Sequence, residues 1–308
     1  MEYQISIVVP FYNEEETIGE LCRRLREVLD KIGRRYEVIC VDDGSVDRTL
    51  ERLIAEHRAH PQFKVIKLRG NFGQTAGLAV GFHHADGEII LAMDGDLQHC
   101  PEEIPMFLEK IDEGYDIVSG WRAKRKDGFI LRRLPSILAN WLIVTMTGVK
   151  LHDFGCTLKA YRREVIENIN LYGELHRFVP VLAGSRGYDV GEVLVRHRPR
   201  KHGKSKYGVW RIPTGFLDLL TVKFLTGYGQ RPQHVLGMGG CVFFVFGSAG
   251  VIFLTIAWLL TRPPFNLGQP IHLTDRAIFF YSIIALFFGG QLISIGFLAE
   301  LVTSYLGR

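Results

Sequence analysis

A chain of 308 residues exceeds the usual size of one domain, so two structural units are expected. A net charge of +4 is too small to point to a nucleic-acid partner. The five cysteines are scattered and never spaced C-x-x-C, which argues against a disulfide framework or a zinc site and for a reducing compartment. The 47% hydrophobic content is uneven: charges fill the first three quarters and nearly vanish after Gln233, the pattern of a polar head followed by a membrane tail.

Ile5–Val9 is a β-branched run ending at Pro10, and Thr17 stands where it would cap a helix to about Ile32, with Leu21, Leu25, Val28, Leu29 and Ile32 at helical spacing. No basic and apolar leader precedes this run, so no secretory signal is expected and the head is expected on the cytoplasmic side. A second strand at Glu37–Val41 stops at Asp42-Asp43-Gly44-Ser45, and a helix follows at Thr49–Arg58. Lys64–Leu68 and Glu88–Met93 read as further strands, Gln74–His84 and Pro101–Glu113 as helices, and Asp116–Ser119 as a fifth strand. Strands alternating with helices at this spacing predict an α/β domain with a mostly parallel sheet.

Two later apolar stretches, Leu134–Val149 and Trp210–Tyr228, are too short or too polar to span a bilayer; they fit either core helices or interfacial helices with their bases toward headgroups. Val235–Leu260 and Ala277–Leu306 are each long enough to span, with a Pro- and Gly-containing loop between them. The bases flanking them are balanced, and the basic run Arg196–Arg211 tips the orientation toward a cytoplasmic head.

Asp94-Gly95-Asp96-Leu97-Gln98 follows the fourth strand, where ligands of open α/β sheets bind. Two carboxylates and an amide oxygen suit Mg²⁺ or Mn²⁺. A solvated turn would look the same in isolation. Pro10-Phe11-Tyr12-Asn13-Glu14 and Val41-Asp42-Asp43-Gly44-Ser45 close two neighbouring strands, however, so three acidic or polar clusters share one rim. Such a rim needs a cation to hold a diphosphate, and its carboxylates suit ribose hydroxyls and base N–H groups. Neither a dinucleotide fingerprint nor a P-loop is present.

These motifs, with Arg69-Gly70-Asn71-Phe72-Gly73, resemble the inverting family-two glycosyltransferases of the A-type, Rossmann-like fold. Ser119-Gly120-Trp121-Arg122, Asp153-Phe154-Gly155-Cys156 and Gly203-Lys204-Ser205-Lys206-Tyr207 resemble more narrowly the polyprenyl-phosphate branch, which holds dolichol-phosphate mannose synthase and the undecaprenyl-phosphate glycosyltransferases. Cys100 departs from a proline common in that branch. The resemblance implies that Pro10, Tyr12, Glu14, Asp42 and Asp43 hold the nucleoside, and that Asp94, Asp96 and Gln98 bind metal and diphosphate. It implies that Arg122, Arg132 and Ser136 receive the acceptor phosphate, and that Arg200, Lys204 and Lys206 close over the donor phosphates. The run from Arg196 to Lys206 would equally serve as a solvated or headgroup-binding patch. Asp96, Arg122 and Asp153 are the expected catalytic set, with Asp153 orienting the acceptor or supporting Arg122; the pair Arg162-Arg163 is a lesser candidate.

The activity this implies is metal-dependent, inverting transfer of one sugar from a nucleotide-sugar, UDP-linked by resemblance, to undecaprenyl or dolichyl phosphate. Expected boundaries are a cytoplasmic catalytic domain over 1–207, a juxtamembrane interfacial helix over 208–232 and two transmembrane helices over 233–308 of a multi-pass inner-membrane protein. The resemblance also implies a homo-oligomer, with a tetramer as one candidate. The rival readings are a glycosyltransferase acting on diacylglycerol or polysaccharide, and a non-catalytic membrane scaffold of the same fold.

Overall fold

The computed structural model describes residues 3–123, 140, 143–145, 147–169, 171, 173, 175–196, 219, 221–223, 226, 232–265, 267 and 272–306. The chain divides into two units, Met1–Val222 and Lys223–Arg308. Arg132, Ser136, Arg200, Lys204 and Lys206 lie outside the described residues, as do most of 134–149 and 210–228.

The first unit is built on a seven-stranded sheet in the order β3-β2-β1-β4-β6-β5-β7. The strands are β1 (Ile5–Phe11), β2 (Tyr36–Asp42), β3 (Phe63–Lys67), β4 (Ile89–Ala92), β5 (Ile117–Trp121), β6 (Lys159–Arg162) and β7 (Val190–Leu194). All pair in parallel except β6, which runs antiparallel to β4 and β5. The helices are α1 (Ile18–Ile32), α2 (Thr49–Ala59), α3 (Gln74–His83), α4 (Ile104–Asp112), α5 (Arg163–Glu167) and α6 (Val179–Gly184). The first five strands match the pattern expected from sequence. β6 and β7 are new; β6, KAYR, has a base at each end in place of the apolar run that marks a strand such as β4.

Period-two alternation along the central strands feeds two cores. Ile5, Ile7, Val9 and Phe11 of β1 pack with Leu21, Leu25 and Leu29 of α1 and Phe107 of α4 on one face. Val8 joins Ile39, Val41, Leu78, Phe82 and Tyr161 on the other. A third cluster gathers Ile143, Leu151, Phe154, Phe178, Leu219 and Val222, so these described members of the two ambiguous apolar stretches are core residues.

β1 runs two residues past the expected stop, through Pro10 to Phe11. The Phe11 carbonyl faces β2, accepting from Asp43 N at 2.8 Å, and the Val8 carbonyl faces β4, accepting from Met93 N at 3.1 Å. By alternation Pro10 also faces β4, where its missing N–H leaves no donor to continue the ladder. β4 has ended at Ala92, and the chain turns away from the sheet there.

In the second unit, α7 (Pro232–Leu260) and α8 (Ala277–Leu306) form an antiparallel hairpin. Both are long and apolar enough to cross a membrane, with mean hydropathies of 2.3 and 2.0. A Cβ on Gly247 would lie 2.4 Å from Leu286 N, and one on Gly289 would lie 2.4 Å from Phe244 N, so glycine permits the close backbone approach of the pair.

Candidate active site

The C-terminal ends of β1, β2, β4, β5 and β7 and the N-terminal end of β6 meet at one edge of the sheet. From β4 the chain enters Asp94–Gln98, where Leu97 takes a left-handed φ of 61°. Gly95 packs so closely on Phe11 that a Cβ would lie 2.6 Å from its ring. Thr17, at the N-cap of α1, makes no side-chain cap bond; its hydroxyl lies 2.8 Å from Gly95 O and 2.9 Å from Glu14 O. The acidic turn is thereby tied to the loop after β1.

Asp96 is buried, and its Oδ1 accepts from Gln98 N at 3.1 Å. Asp94 keeps 27% of its side chain exposed, and its Oδ1 accepts the Gln74 amide. Burial, and then the charge of Asp96, push the Asp94 carboxyl up to about 6. This crowding is the physical sign of a donor set suited to a cation. Among the described residues no three His, Cys, Asp or Glu side chains gather into a cage. The pair instead fits a small hard cation that takes its remaining ligands from substrate phosphates and water.

Asp42 and Asp43 do different work. Asp43 accepts Phe72 N and Gly73 N, each at 2.8 Å, and so fixes the loop after β3. Asp42 is fully buried; its Oδ1 accepts Ser45 N at 3.2 Å, while its Oδ2 has no hydrogen-bond partner, an acceptor lacking a donor. Between these loops a Cβ on Gly44, whose φ is 69°, would lie 2.5 Å from the Gly70 carbonyl carbon. Asn13, at a φ of 51°, laces the loops after β1 and β2: its N–H donates to Ser45 Oγ at 3.0 Å and its Oδ1 accepts Val46 N at 2.9 Å.

On the β5 and β6 side, Arg122 and Asp153 form a buried bidentate pair, Nε to Oδ2 at 2.7 Å and Nη2 to Oδ1 at 2.9 Å. Burial opposes the guanidinium charge, but the Asp153 carboxylate outweighs it and holds the Arg122 pKa above its ordinary value. Lys159 begins β6, in register with Ala92 of β4 and Ser119 of β5. It is almost fully buried, donates to the carbonyls of Phe154 (3.4 Å) and Cys156, and burial lowers its pKa to about 8. Burial also holds His99 down to about 4, a neutral ring between Asp94 and Cys156, and pushes the Cys156 thiol up to about 11.

The structure thus brings Pro10, Tyr12, Glu14, Asp42, Asp43, Asp94, Asp96, Gln98, Arg122 and Asp153 to one rim. It puts Arg163 at the opposite edge, where it donates to the Ala85 and Gly87 carbonyls, and Arg162 beside Asp116; both stabilise the sheet's far end. Sequence reading passed over Gln74, whose partners Asp94 and Thr157 lie far along the chain, and Lys159, whose carbonyl partners are local but are set by an unexpected strand.

A mixed sheet of this order with acidic strand ends on one rim is the A-type fold of nucleotide-sugar glycosyltransferases. The chain belongs to glycosyl transferase family 2, whose model matches residues 6–169, and it is an enzyme of that class. It is 39% identical over 308 residues to dodecaprenyl-phosphate galacturonate synthase of Rhizobium johnstonii, covering 97% of this chain and 87% of the relative. It is 35% identical over 306 residues to undecaprenyl-phosphate 4-deoxy-4-formamido-L-arabinose transferase of Edwardsiella ictaluri, covering 99% of this chain and 89% of the relative. Among solved structures, glucosyl-3-phosphoglycerate synthase of Mycobacterium tuberculosis in complex with Mn²⁺ and UDP-glucose shares the fold at a TM-score of 0.55, with 18% identity over 73% of this chain and 79% of that one.

Proposed function

We propose that the enzyme transfers one sugar, with inversion, from a UDP-sugar to a polyprenyl phosphate at the cytoplasmic face of a membrane that its two apolar helices cross. The carrying observation is the meeting on one rim of an acidic set, Asp42, Asp94 and Asp96, with a buried arginine, Arg122, aligned by Asp153. The polyprenyl-phosphate acceptors named for both relatives support the acceptor class, and UDP-glucose with Mn²⁺ in the solved neighbour supports the donor and cation.

Asp42, whose Oδ2 has no hydrogen-bond partner among the described residues, stands with Tyr12 and Glu14 on the strand ends that this reading gives to the nucleoside. Asp94 and Asp96, with Gln98 adjacent, would hold a divalent cation against the diphosphate, which supplies neutralisation of the charge on the leaving group. Gln74 donates to Asp94 Oδ1, and Oδ2 lies 3.8 Å from His99 Nδ1. The acceptor phosphate is already anionic at neutral pH, so no strong general base is required; Arg122 orients it. One phosphate oxygen attacks the anomeric carbon as the bond to the diphosphate breaks, and the electron pair leaves on UDP. Arg132, Ser136, Arg200, Lys204 and Lys206 complete the phosphate contacts in this reading.

The test is a panel of UDP- and GDP-sugars offered to the full chain in membranes with undecaprenyl phosphate, following released nucleotide. Acceptor-dependent UDP release that stops with EDTA and returns with Mn²⁺ is expected. Release that is indifferent to the lipid phosphate, or a labelled product that survives mild acid as a diacylglycerol glycoside would, overturns the acceptor.

A further inference from the structure

Asp153 aligns Arg122, but Asp153 stands on a turn between β5 and β6 and needs an anchor of its own. That anchor is Glu192 on β7, a residue in register with Ser119 of β5. Its Oε1 accepts His152 N at 2.9 Å and Asp153 N at 3.3 Å, and its Oε2 lies 2.7 Å from His152 Nδ1. The His152 ring in turn stacks on Trp121 at 4.2 Å with an interplanar angle of 19°. Trp121 ends β5 immediately before Arg122. The arginine and the carboxylate that aligns it are thus held from both sides, by the Trp121–His152 stack and by one glutamate. Glu192 keeps only 14% of its side chain exposed, although the His152 ring it meets is open to solvent.

We propose that Glu192 is a positioning residue for Arg122, acting through Asp153 and His152 to set the plane of the guanidinium that receives the acceptor phosphate. The proposal rests on the acceptor reading given above. Main-chain N–H groups of two successive residues meeting one carboxylate oxygen define the direction in which the Asp153 side chain leaves the turn. The Asp153 carboxylate, bonded to Arg122 through Nε and Nη2, carries that direction to the fork. Loss of the anchor lets the fork rotate, and a misplacement of about 1 Å costs on the order of 100-fold in a positioned reaction. Among the described residues Glu192 makes no hydrogen bond to the donor-side loops after β1, β2 and β4, which should not respond.

The test uses steady-state kinetics of the full chain with Glu192→Ala, Glu192→Gln, Arg122→Lys and the double variant Glu192→Ala/Arg122→Lys. Glu192→Ala is expected to raise the acceptor KM about tenfold or more while the donor KM stays within about twofold. Glu192→Gln keeps an oxygen for the two main-chain donors and is expected to recover most of that loss. In the Arg122→Lys background, Glu192→Ala should add little, because the two act as one unit. Should Glu192→Ala fail to fold, Glu192→Asp, one methylene shorter, carries the same expectation. Equal rises in both KM values, or losses that multiply in the double variant, make Glu192 a structural residue only and overturn the proposal. A wild-type chain that uses a different acceptor overturns the acceptor reading instead, and the same comparison is then made on that acceptor's KM.

Discussion

At the end of β4, burial and then the charge of Asp96 let the Asp94 carboxyl hold its proton up to about pH 6. In the proposed function a divalent cation held by Asp94 and Asp96 would offset that crowding and neutralise charge on the diphosphate. Replacing Asp96 by alanine is expected to lower UDP release by at least about 100-fold, the scale at which a single electrostatic group acts; residual activity within tenfold of wild type would remove Asp96 from the reaction. Lys159 gives a pH prediction. Its folded pKa of about 8 lies below the ordinary 10.5, so the buried ammonium weakens the fold below pH 8. Stability returns as pH rises from there toward 10.5, a difference of roughly 3 kcal/mol by linkage. Lys159→Met should therefore be more stable relative to wild type at pH 7 than at pH 10, read as the difference between their melting temperatures. A constant difference across that range would show that the lysine does not titrate early.

At the scale of elements, the site is a set of loops locked to one another, with Gly44 at the tightest point. A Cβ at that residue meets the Gly70 main chain at 2.5 Å, and the left-handed φ adds strain. Gly44→Ala is expected to cost about 1–3 kcal/mol and to raise the donor KM without changing the acceptor KM, checked by thermal melting and by kinetics. Much of this could be read beforehand. The apolar spacing of α1, the β-branched runs of β1 and β2 and the acidic residues at their ends are local patterns, and local patterns survive in sequence. β6 and β7 could not be: Lys159–Arg162 starts and ends on a base instead of forming an apolar run like β4, and takes its strand conformation from its neighbours β4 and β5. Gln74, Lys159 and Glu192 were missed for a related reason. Gln74 reaches Thr157 and Glu192 reaches His152, contacts that connect positions 83 and 40 residues apart, and no spacing rule announces them. The division between Val222 and Lys223 likewise falls inside an apolar stretch, within the span expected to be one interfacial helix.

At the scale of the whole chain, an α/β unit with a complete sheet and core is joined to a helical hairpin whose surface is mostly apolar; within each hydrophobic span only 11% of residues are buried. The two units therefore have separable tasks. Removing residues 223–308 is expected to leave UDP and Mn²⁺ binding measurable by calorimetry, while releasing the protein from the membrane pellet under alkaline carbonate. Loss of nucleotide binding in a chain that still melts cooperatively would show that the hairpin contributes to the donor site.

The reversed direction of β6 has one more consequence. In a parallel sheet, a connection that leaves one strand's top must descend to the bottom before the next strand begins, so its length and path are dictated by the layers it crosses. Between β5 and β6 no descent is required: the chain departs from the rim at Arg122 and re-enters at the rim at Lys159. The described part of the connection is tied to what lies beneath it: Asp153 aligns Arg122, and Ile143, Leu151 and Phe154 pack in the third core cluster. A chimera carrying a relative's residues at 124–150, with the core positions Ile143, Val144 and Val149 kept, is therefore expected to change the acceptor KM while the donor KM and the strand order stay as they are.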